Sequence, residues 1–407
     1  MNKRVILITI DSLRFDRLKK MVHLYNYRDK SLFYNNCYTA GEPTEISFPA
    51  IMGSLYASQF MQTISFPEKR KTIAQALKEA GLKTFALTDG NPWCSSVLGY
   101  NRGFDYINDY LLTRSKKTIF SRFCKNVGKI FYPKLLRAYL TGWMLNPKTN
   151  IKKIISKALE ILKEESGGLF LWMHLMDVHS PYRLSSAPFN SKNVTSLRTY
   201  SKLSSIPNKV KITKQDIANI TWMYDLAVKF LDNELDKLLK YYFSSEYEKG
   251  TSLIVTADHG EELGERGNFY HMENVYEEVT HVPLMIFNKN FGSKVIENYC
   301  SLRDIPKTIL GFLGVEDDYF FGANILREFS DYAISETLKP CMNILMKDKS
   351  FNEALKIKLS EFAYAYNDSQ KTFFFDRAYY DKDLRQIDSS QVPVVFREHV
   401  EARNNRL

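Results

Sequence analysis

The chain has 407 residues, 44% of them hydrophobic and 25% charged, and 56 Lys and Arg against 46 Asp and Glu leave a formal net charge of +10. This globular composition is enough for one large α/β domain with a smaller appendage, and it excludes a disordered chain or a repeat array. The basic excess implies anionic partners in a general way; nucleic acid is not expected among them.

The N-terminal Met1-Asn2-Lys3-Arg4 is basic, but the apolar run behind it is soon interrupted by Asp11. That run is too short for a signal-peptide core or a membrane span, so a mature cytoplasmic chain is expected. Cys37, Cys94, Cys124, Cys300 and Cys341 are scattered without a CxxC pair. Buried free thiols are therefore expected rather than a disulfide framework or a zinc cluster.

The run Val5-Ile6-Leu7-Ile8-Thr9-Ile10 ends in Asp11, and a second, Leu253-Ile254-Val255-Thr256-Ala257, ends in Asp258-His259-Gly260. Near-continuous β-branched residues suit strands covered on both faces, as in a parallel sheet between helices. Ligands gather at the carboxyl ends of such strands. Two ends offering Asp, Asp and His are thus expected to converge on one cation.

After Asp11, a polar turn carries Arg14 and Arg17 to where an anion could meet them. Phe33 to Thr39 reads as a short strand. A Gly/Pro turn from Gly41 then delivers Thr44 and Ser47 to the start of a short apolar helix. A hydroxyl there either caps the helix or faces a phosphate-like group held by free N–H groups and the helix dipole. A helix over Lys71 to Ala80, stopped by Gly81, leads to a strand at Thr84 to Thr88. Loops follow at Asp89 to Trp93 and Gly99 to Asp105.

Between Arg114 and Arg137 lie eight Lys/Arg and no acid, interleaved with Ile119, Phe120, Phe123, Val127, Ile130 and Phe131. This basic insertion, taken as about 114–148, is either a helical stretch packed on the domain or a peripheral contact with a membrane or polyanionic glycan. Asn150 to Lys163 reads as a helix, and Gly168 to Met173 as a strand running into His174, Asp177 and His179. The polar tract 185–205 is a candidate lid. A long amphipathic helix from Lys214 to Tyr241 precedes the Asp258 strand. A strand at Pro283 to Phe287 and a helix at Ser301 to Leu313 follow. Glu261 and Glu262 are expected to cap a following helix, and His174 and His281 to be buried structure. Strand-like runs at Tyr332 to Ser335 and Thr372 to Phe375 fit a small C-terminal sheet with a helix near Asn352 to Phe362.

Two carboxylates and a neutral imidazole can hold a cation that polarises a phosphoryl or sulfuryl oxygen and activates a coordinated hydroxyl. Thr44 is the hydroxyl placed for attack, since an alcohol titrates too high to act unaided. Ser47 is the fallback.

The motifs ILITIDSLRFDRL (6–18), GYNRGFD (99–105), HLMDVHSPY (174–182), TADHGEELGE (256–265), HMENVYEEVTHVPLMIF (271–287) and RDIPKTILGFLG (303–314) stand in that order. Together they resemble the sulfatase and alkaline phosphatase superfamily, and YYDKDLRQ (379–386) resembles the family's closing segment more loosely. The resemblance implies an α/β sandwich with a mostly parallel central sheet between helices, as a catalytic domain over 1–325, and a small C-terminal α+β subdomain over 326–407. It also implies one divalent metal (Mn, Mg, Ca or Zn) on Asp11, Asp258 and His259, with Thr44 touching the metal as nucleophile. His179 and His271 become catalytic or substrate-binding, and Arg14, Ser47 and Asp177 substrate contacts. Asp177, His179 and His271 form the option of a second metal site.

Two departures from the family pattern matter. Sulfatases of the formylglycine type pair two aspartates where this chain has Asp11-Ser12, and they carry a C/S-x-P-x-R motif where this chain has Thr44-Glu45-Ile46-Ser47-Phe48. No formylglycine is expected. Threonine at the nucleophile position resembles the phosphodiesterase, phosphonate monoester hydrolase and lipoteichoic acid synthase branches. The expected function is a metal-dependent hydrolase or transferase of phosphate esters acting through a Thr44 intermediate on an anionic substrate, glycan- or lipid-linked among the options. The alternatives are a sulfatase with an unmodified hydroxyl and a catalytically weak binder of anionic glycan or lipid.

Overall fold

The computed structural model describes residues 3–60, 65–110, 150–182, 199, 212–244, 246–271, 274–339, 361–375 and 378–404. The basic insertion and, apart from Thr199, the candidate lid lie outside the described residues.

The strands, in chain order, begin with β1 Arg4–Ile10, β2 Leu32–Tyr38, β3 Gly41–Glu42, β4 Lys83–Thr88, β5 Tyr106–Asn108 and β6 Leu169–Leu175. They continue with β7 Thr251–Ala257, β8 Glu262–Leu263, β9 Phe269–Tyr270, β10 Leu284–Phe287 and β11 Lys294–Ser301. The last five are β12 Ala333–Lys339, β13 Glu361–Asn367, β14 Thr372–Phe375, β15 Ala378–Tyr380 and β16 Gln386–Ile387. The longer helices are α1 Thr44–Gly53, α2 Ile73–Glu79, α3 Ile151–Glu164, α4 Lys214–Ser244, α5 Ile305–Leu313 and α6 Val394–Asn404.

The main sheet has eight strands in the order β11-β2-β10-β7-β1-β6-β4-β5. β1 sits between β7 and β6, parallel to both, and β6-β4-β5 continue in parallel. Only β10 runs antiparallel to its neighbours, and β11 rejoins β2 in parallel. Val5, Ile6, Leu7, Ile8 and Ile10 are all fully buried. Side chains alternate between faces along a strand, so consecutive burial means that both faces are covered. The helices accordingly gather in two packed groups, α3 with α4 and α1 with α2 and α5. Along α4, Ile220, Tyr224, Val228, Leu231, Leu235 and Leu238 are buried, the stripe read from the sequence. Capping also follows the sequence: Thr72 and Gln75 form a capping box on α2.

The second sheet has the order β16-β15-β14-β13-β12-β3. Its edge strand β3 comes from the N-terminal part of the chain and lies parallel to β12. Ile46, Ala50, Ile334, Tyr364, Phe374 and Phe396 make its small core against α1 and α6. Of the helix expected near Asn352 to Phe362, the described residues Glu361 and Phe362 belong to strand β13 instead, because they complete a register that starts at Ala333↔Asn367. Strand β11 and helix α6 had no counterpart in the sequence reading. Cys37, Cys94 and Cys300 are buried free thiols. Among the described residues no helix is long and apolar enough to cross a membrane.

Candidate active site

The carboxyl ends of β1 and β7 are adjacent, with Ile10 paired to Ala257, and the residues that follow them meet. Asp11, Asp258 and His259 form the group among the described residues whose ligand atoms all lie within 4.8 Å of one another, every member buried. Thr44, the first residue of α1, brings its Oγ1 to 3.2 Å from Asp258 Oδ2, 3.4 Å from Asp11 Oδ2 and 3.4 Å from His259 Nε2. Ile46 and Ser47 close the first turn of α1 by donating their N–H groups to the Pro43 carbonyl.

The donor set suits a divalent cation. His259 Nδ1 lies 2.9 Å from the Gly260 carbonyl oxygen. A carbonyl only accepts, so Nδ1 carries the proton and Nε2 presents its lone pair to the two carboxylates. Two acids and a lone pair facing one another in a fully buried space repel unless a positive charge lies between them. Burial and then the nearby Asp11 push the Asp258 carboxyl well above its usual range. Burial also acts on Asp11, but it is outweighed by His179 and by the hydrogen bond from His174, which hold that carboxyl well below its usual range.

Ser12, standing where a second aspartate was absent, clamps both acids. Its hydroxyl donates to Asp11 Oδ1 at 2.8 Å and its N–H to Asp258 Oδ1 at 3.2 Å. It takes a left-handed backbone, φ 63°, to do so, a conformation that costs a non-glycine residue about 1 kcal/mol or more. Tyr224 on α4 holds this turn by donating to the Ser12 carbonyl at 2.7 Å.

A histidine cluster borders the cation site. The His271 ring lies 4.3 Å from that of His259 and 5.0 Å from that of His179, centroid to centroid. Burial, followed by His259 and His179, keeps His271 well below the ordinary imidazole range, so it is neutral. His179 Nδ1 donates to the Ser180 carbonyl, which leaves Nε2 as the nitrogen that takes up a second proton and gives it back. Asp177 is buried beside this turn.

Other expectations are corrected. Arg14 is not presented to an anion: its buried guanidinium is held by Asp16 at 2.9 Å and Glu265 at 2.7 Å. Ser47 does not reach the cluster, since its Oγ donates to the Thr44 carbonyl at 3.2 Å inside α1. Glu261 and Glu262 cap no helix. The chain turns at Gly264, φ 117°, into the hairpin β8-β9. Glu261 then sits fully buried, accepting from Tyr182 Oη at 2.6 Å and facing His271 Nδ1 at 3.5 Å. His281 is stacked between Phe15 and Tyr38, as structure. His174, expected to be structural, is buried but lies against Asp11. Asn91, which the sequence reading passed over, donates to Asp11 Oδ2 at 2.9 Å. Its place in a turn directly behind strand β4 was the available signal, the same one that marked Asp11 and Asp258.

Comparison with known proteins gives the family and the fold. Canine arylsulfatase K is 31% identical over 105 residues, 26% of this chain and 19% of that protein. Phosphoethanolamine transferase EptA of Salmonella typhimurium is 26% identical over 136 residues, 30% of this chain and 23% of that protein. The chain thus matches only about a fifth of the length of these curated relatives. The solved phosphonate monoester hydrolase of Silicibacter pomeroyi shares the fold with a TM-score of 0.69 at 17% identity, covering 100% of this chain and 96% of that one. The family model described as Sulfatase matches residues 3–315, which takes in the cation-site acids, Thr44 and the histidine cluster, and the chain belongs to the sulfatase family.

Proposed function

We propose that this chain, within a family acting on sulfate or phosphate esters, transfers the phosphoryl group of a phosphate ester through a covalent intermediate on Thr44. The observation that carries this reading is the approach of one hydroxyl, Thr44 Oγ1, to within 3.4 Å of two buried carboxylates and an imidazole at once. One divalent ion (Mn, Mg, Ca or Zn) held by Asp11, Asp258, His259 and Thr44 Oγ1 would lower the pKa of that hydroxyl and offset charge on the transferring group.

Thr44 Oγ1 attacks phosphorus in line. The new Oγ–P bond forms as the bond to the leaving oxygen breaks, and the hydroxyl proton passes toward Asp258 Oδ2, its nearest acceptor. His179, protonated on both ring nitrogens for this step, gives its Nε2 proton to the leaving oxygen. Neutral His271, its Nδ1 turned to Glu261, offers its other nitrogen to an oxygen of the transferring group. Water, or an acceptor alcohol in a transferase, then loses its proton to His179 Nε2 and attacks phosphorus; the Oγ–P bond breaks, and Thr44 Oγ1 takes back its proton from Asp258 to return to its hydroxyl form.

The named activities of the phosphonate monoester hydrolase and EptA support the phosphate reading. The name of arylsulfatase K supports a second, sulfate-ester transfer to the unmodified hydroxyl. Rates on aryl phosphate, bis-aryl phosphate, aryl phosphonate and aryl sulfate separate the two. Thr44→Ala is expected to lower turnover of the best of these esters by at least about 10³-fold, and mass spectrometry of the quenched wild type to find the added group on the Thr44 peptide. Turnover within about tenfold of wild type in Thr44→Ala would remove the assignment. A protein that takes up no divalent ion would instead favour a non-catalytic binder of anionic glycan or lipid.

A further inference from the structure

We infer that His174 is a positioning residue for Asp11, set in its working tautomer by a buried chain of hydrogen bonds that starts at Trp172 and passes through Thr9. This inference rests on the reading of Asp11, Asp258 and His259 as a cation site.

His174 is fully buried near the end of β6, with Nε2 3.3 Å from Asp11 Oδ2 and Nδ1 3.0 Å from Thr9 Oγ1. Its edge-on contact with Phe48, 4.9 Å between centroids, would suit a space-filling ring equally well. Space filling does not explain polar partners on both ring nitrogens, and the protons in this chain can be assigned. Trp172 Nε1 can only donate, and it does so to Thr9 Oγ1 at 3.1 Å. Thr9 is therefore free to pass its own hydrogen on, either to the Met173 carbonyl at 3.2 Å or to His174 Nδ1 at 3.0 Å.

The second choice puts the ring proton on Nε2, aimed at the carboxylate. The first would allow the opposite tautomer, whose Nε2 lone pair could accept from Asn91 Nδ2 at 3.2 Å but would also be pressed on the Asp11 carboxylate oxygen 3.3 Å away in a dry site, a repulsion that the Nε2–H tautomer replaces with a hydrogen bond.

Asn91 fixes the same oxygen from another element. The Trp93 N–H donates to Asn91 Oδ1 at 2.9 Å, so the amide nitrogen is the end that faces Asp11 Oδ2, at 2.9 Å. With Ser12 Oγ on Oδ1, both oxygens of Asp11 are held by donors from three different segments. A carboxylate restrained in this way cannot rotate away when a cation arrives, and it enters binding already oriented. The sequence run Trp172-Met173-His174 supplies both ends of the relay from one strand, because residues two apart on a strand share a face. Thr9 reaches them from β1, where it is the register partner of His174.

The test is Mn²⁺ binding to the full chain, followed by calorimetry and by the EPR signal of free Mn²⁺, with Tm measured beside it. His174→Leu is expected to raise the Kd about 10- to 100-fold, while His174→Gln, whose amide can still donate to Asp11, stays within about threefold of wild type. A Leu variant within about threefold of wild type overturns the inference, and so do equal losses in the Leu and Gln variants that track a fall in Tm. Should His174→Leu fail to fold, Thr9→Val removes the relay hydroxyl at nearly constant volume. A Kd raised by about threefold or more then supports the relay, and an unchanged Kd overturns it. Wild-type protein that takes up no Mn²⁺, Mg²⁺, Ca²⁺ or Zn²⁺ would overturn the cation site and this inference together. Wild-type binding that the His174 variants leave untouched overturns the inference alone.

Discussion

Glu261 follows the cation-site histidine by two positions and ends fully buried between a tyrosine hydroxyl and a histidine ring. Its burial pushes the carboxyl well above its usual range despite the bond from Tyr182. Such an acid is retained at a cost, and the geometry supplies the reason, since one oxygen is committed to Tyr182 and the other faces His271 Nδ1. Glu261→Gln keeps an acceptor for the tyrosine and is expected to melt near the wild-type Tm. Glu261→Ala leaves the Tyr182 hydroxyl buried without its acceptor, a loss of about 1–3 kcal/mol, and frees the His271 ring, so kcat is expected to fall more than KM changes. An Ala variant with lowered Tm and wild-type kcat would assign Glu261 to stability alone. The residues legible in the sequence were those whose chemistry ends a buried strand or opens a helix: Asp11, Asp258, His259 and Thr44. His174 was not, because β6 is buried on both faces and alternation then says nothing about which face carries chemistry. Glu261 was misread because an acid after a strand resembles a helix cap until the hairpin at Gly264 is known.

Whole elements divide in the same way. Strands β1, β6 and β7 were plain in the sequence because apolar runs buried on both faces have no other use. The reversed direction of β10 was not, since hydrophobicity carries no sign along the chain. Strand β11 was missed because its burial alternates irregularly along Lys294–Ser301 and its pairing with β2 is interrupted by a bulge. The short helical turn Glu277–Thr280, behind the site, is tied to the second sheet. Glu277 is paired with His281 and with Lys371, which stands in the turn between β13 and β14. The His281 hydrogen bond, against the opposing effect of burial and with help from Lys371, lowers the Glu277 carboxyl from 4.5 to about 2. A carboxyl depressed by folding stabilises the folded chain above its unfolded pKa and loses that contribution as pH falls toward its folded one. The window here is therefore pH 4.5 down to about 2. Because Glu277 is half exposed, solvent screening keeps the effect small. Urea midpoints measured from pH 5 to pH 3 are expected to fall less steeply in Glu277→Gln than in wild type; parallel curves would show that this tie contributes nothing.

At the scale of the molecule, the C-terminal sheet is part of the device that places the nucleophile. Strand β3 ends two residues before Thr44, and it is held by β12 through the Glu336 N–H on the Ala40 carbonyl at 3.0 Å and the Ser335 hydroxyl on the Thr39 carbonyl at 2.6 Å. Glu42, buried and pushed up to about 7, accepts from the Asn274 N–H and from the Thr337 hydroxyl. The strands approach so closely at Gly41 that an added Cβ would stand 2.7 Å from the Glu336 carbonyl oxygen and 2.4 Å from Ile46 Cγ2. Apolar residues of α1 itself, Ile46 and Ala50, are buried by Ile334, Tyr364 and Phe396 from the same C-terminal part. A chain ending at residue 326 would keep Asp11, Thr44, Asp258, His259 and the complete eight-stranded sheet. It would also strip the partner from β3 and expose one side of the helix that begins with Thr44. Unpaired edge strands and uncovered apolar faces both favour aggregation and local unfolding. The truncated chain is therefore expected to lose its turnover of aryl esters and to melt below the full chain or precipitate, with circular dichroism and steady-state rates as the measurements. A soluble truncated protein with wild-type turnover would instead make the C-terminal sheet an appendage, and would leave the placement of Thr44 to Pro43 and α1 alone.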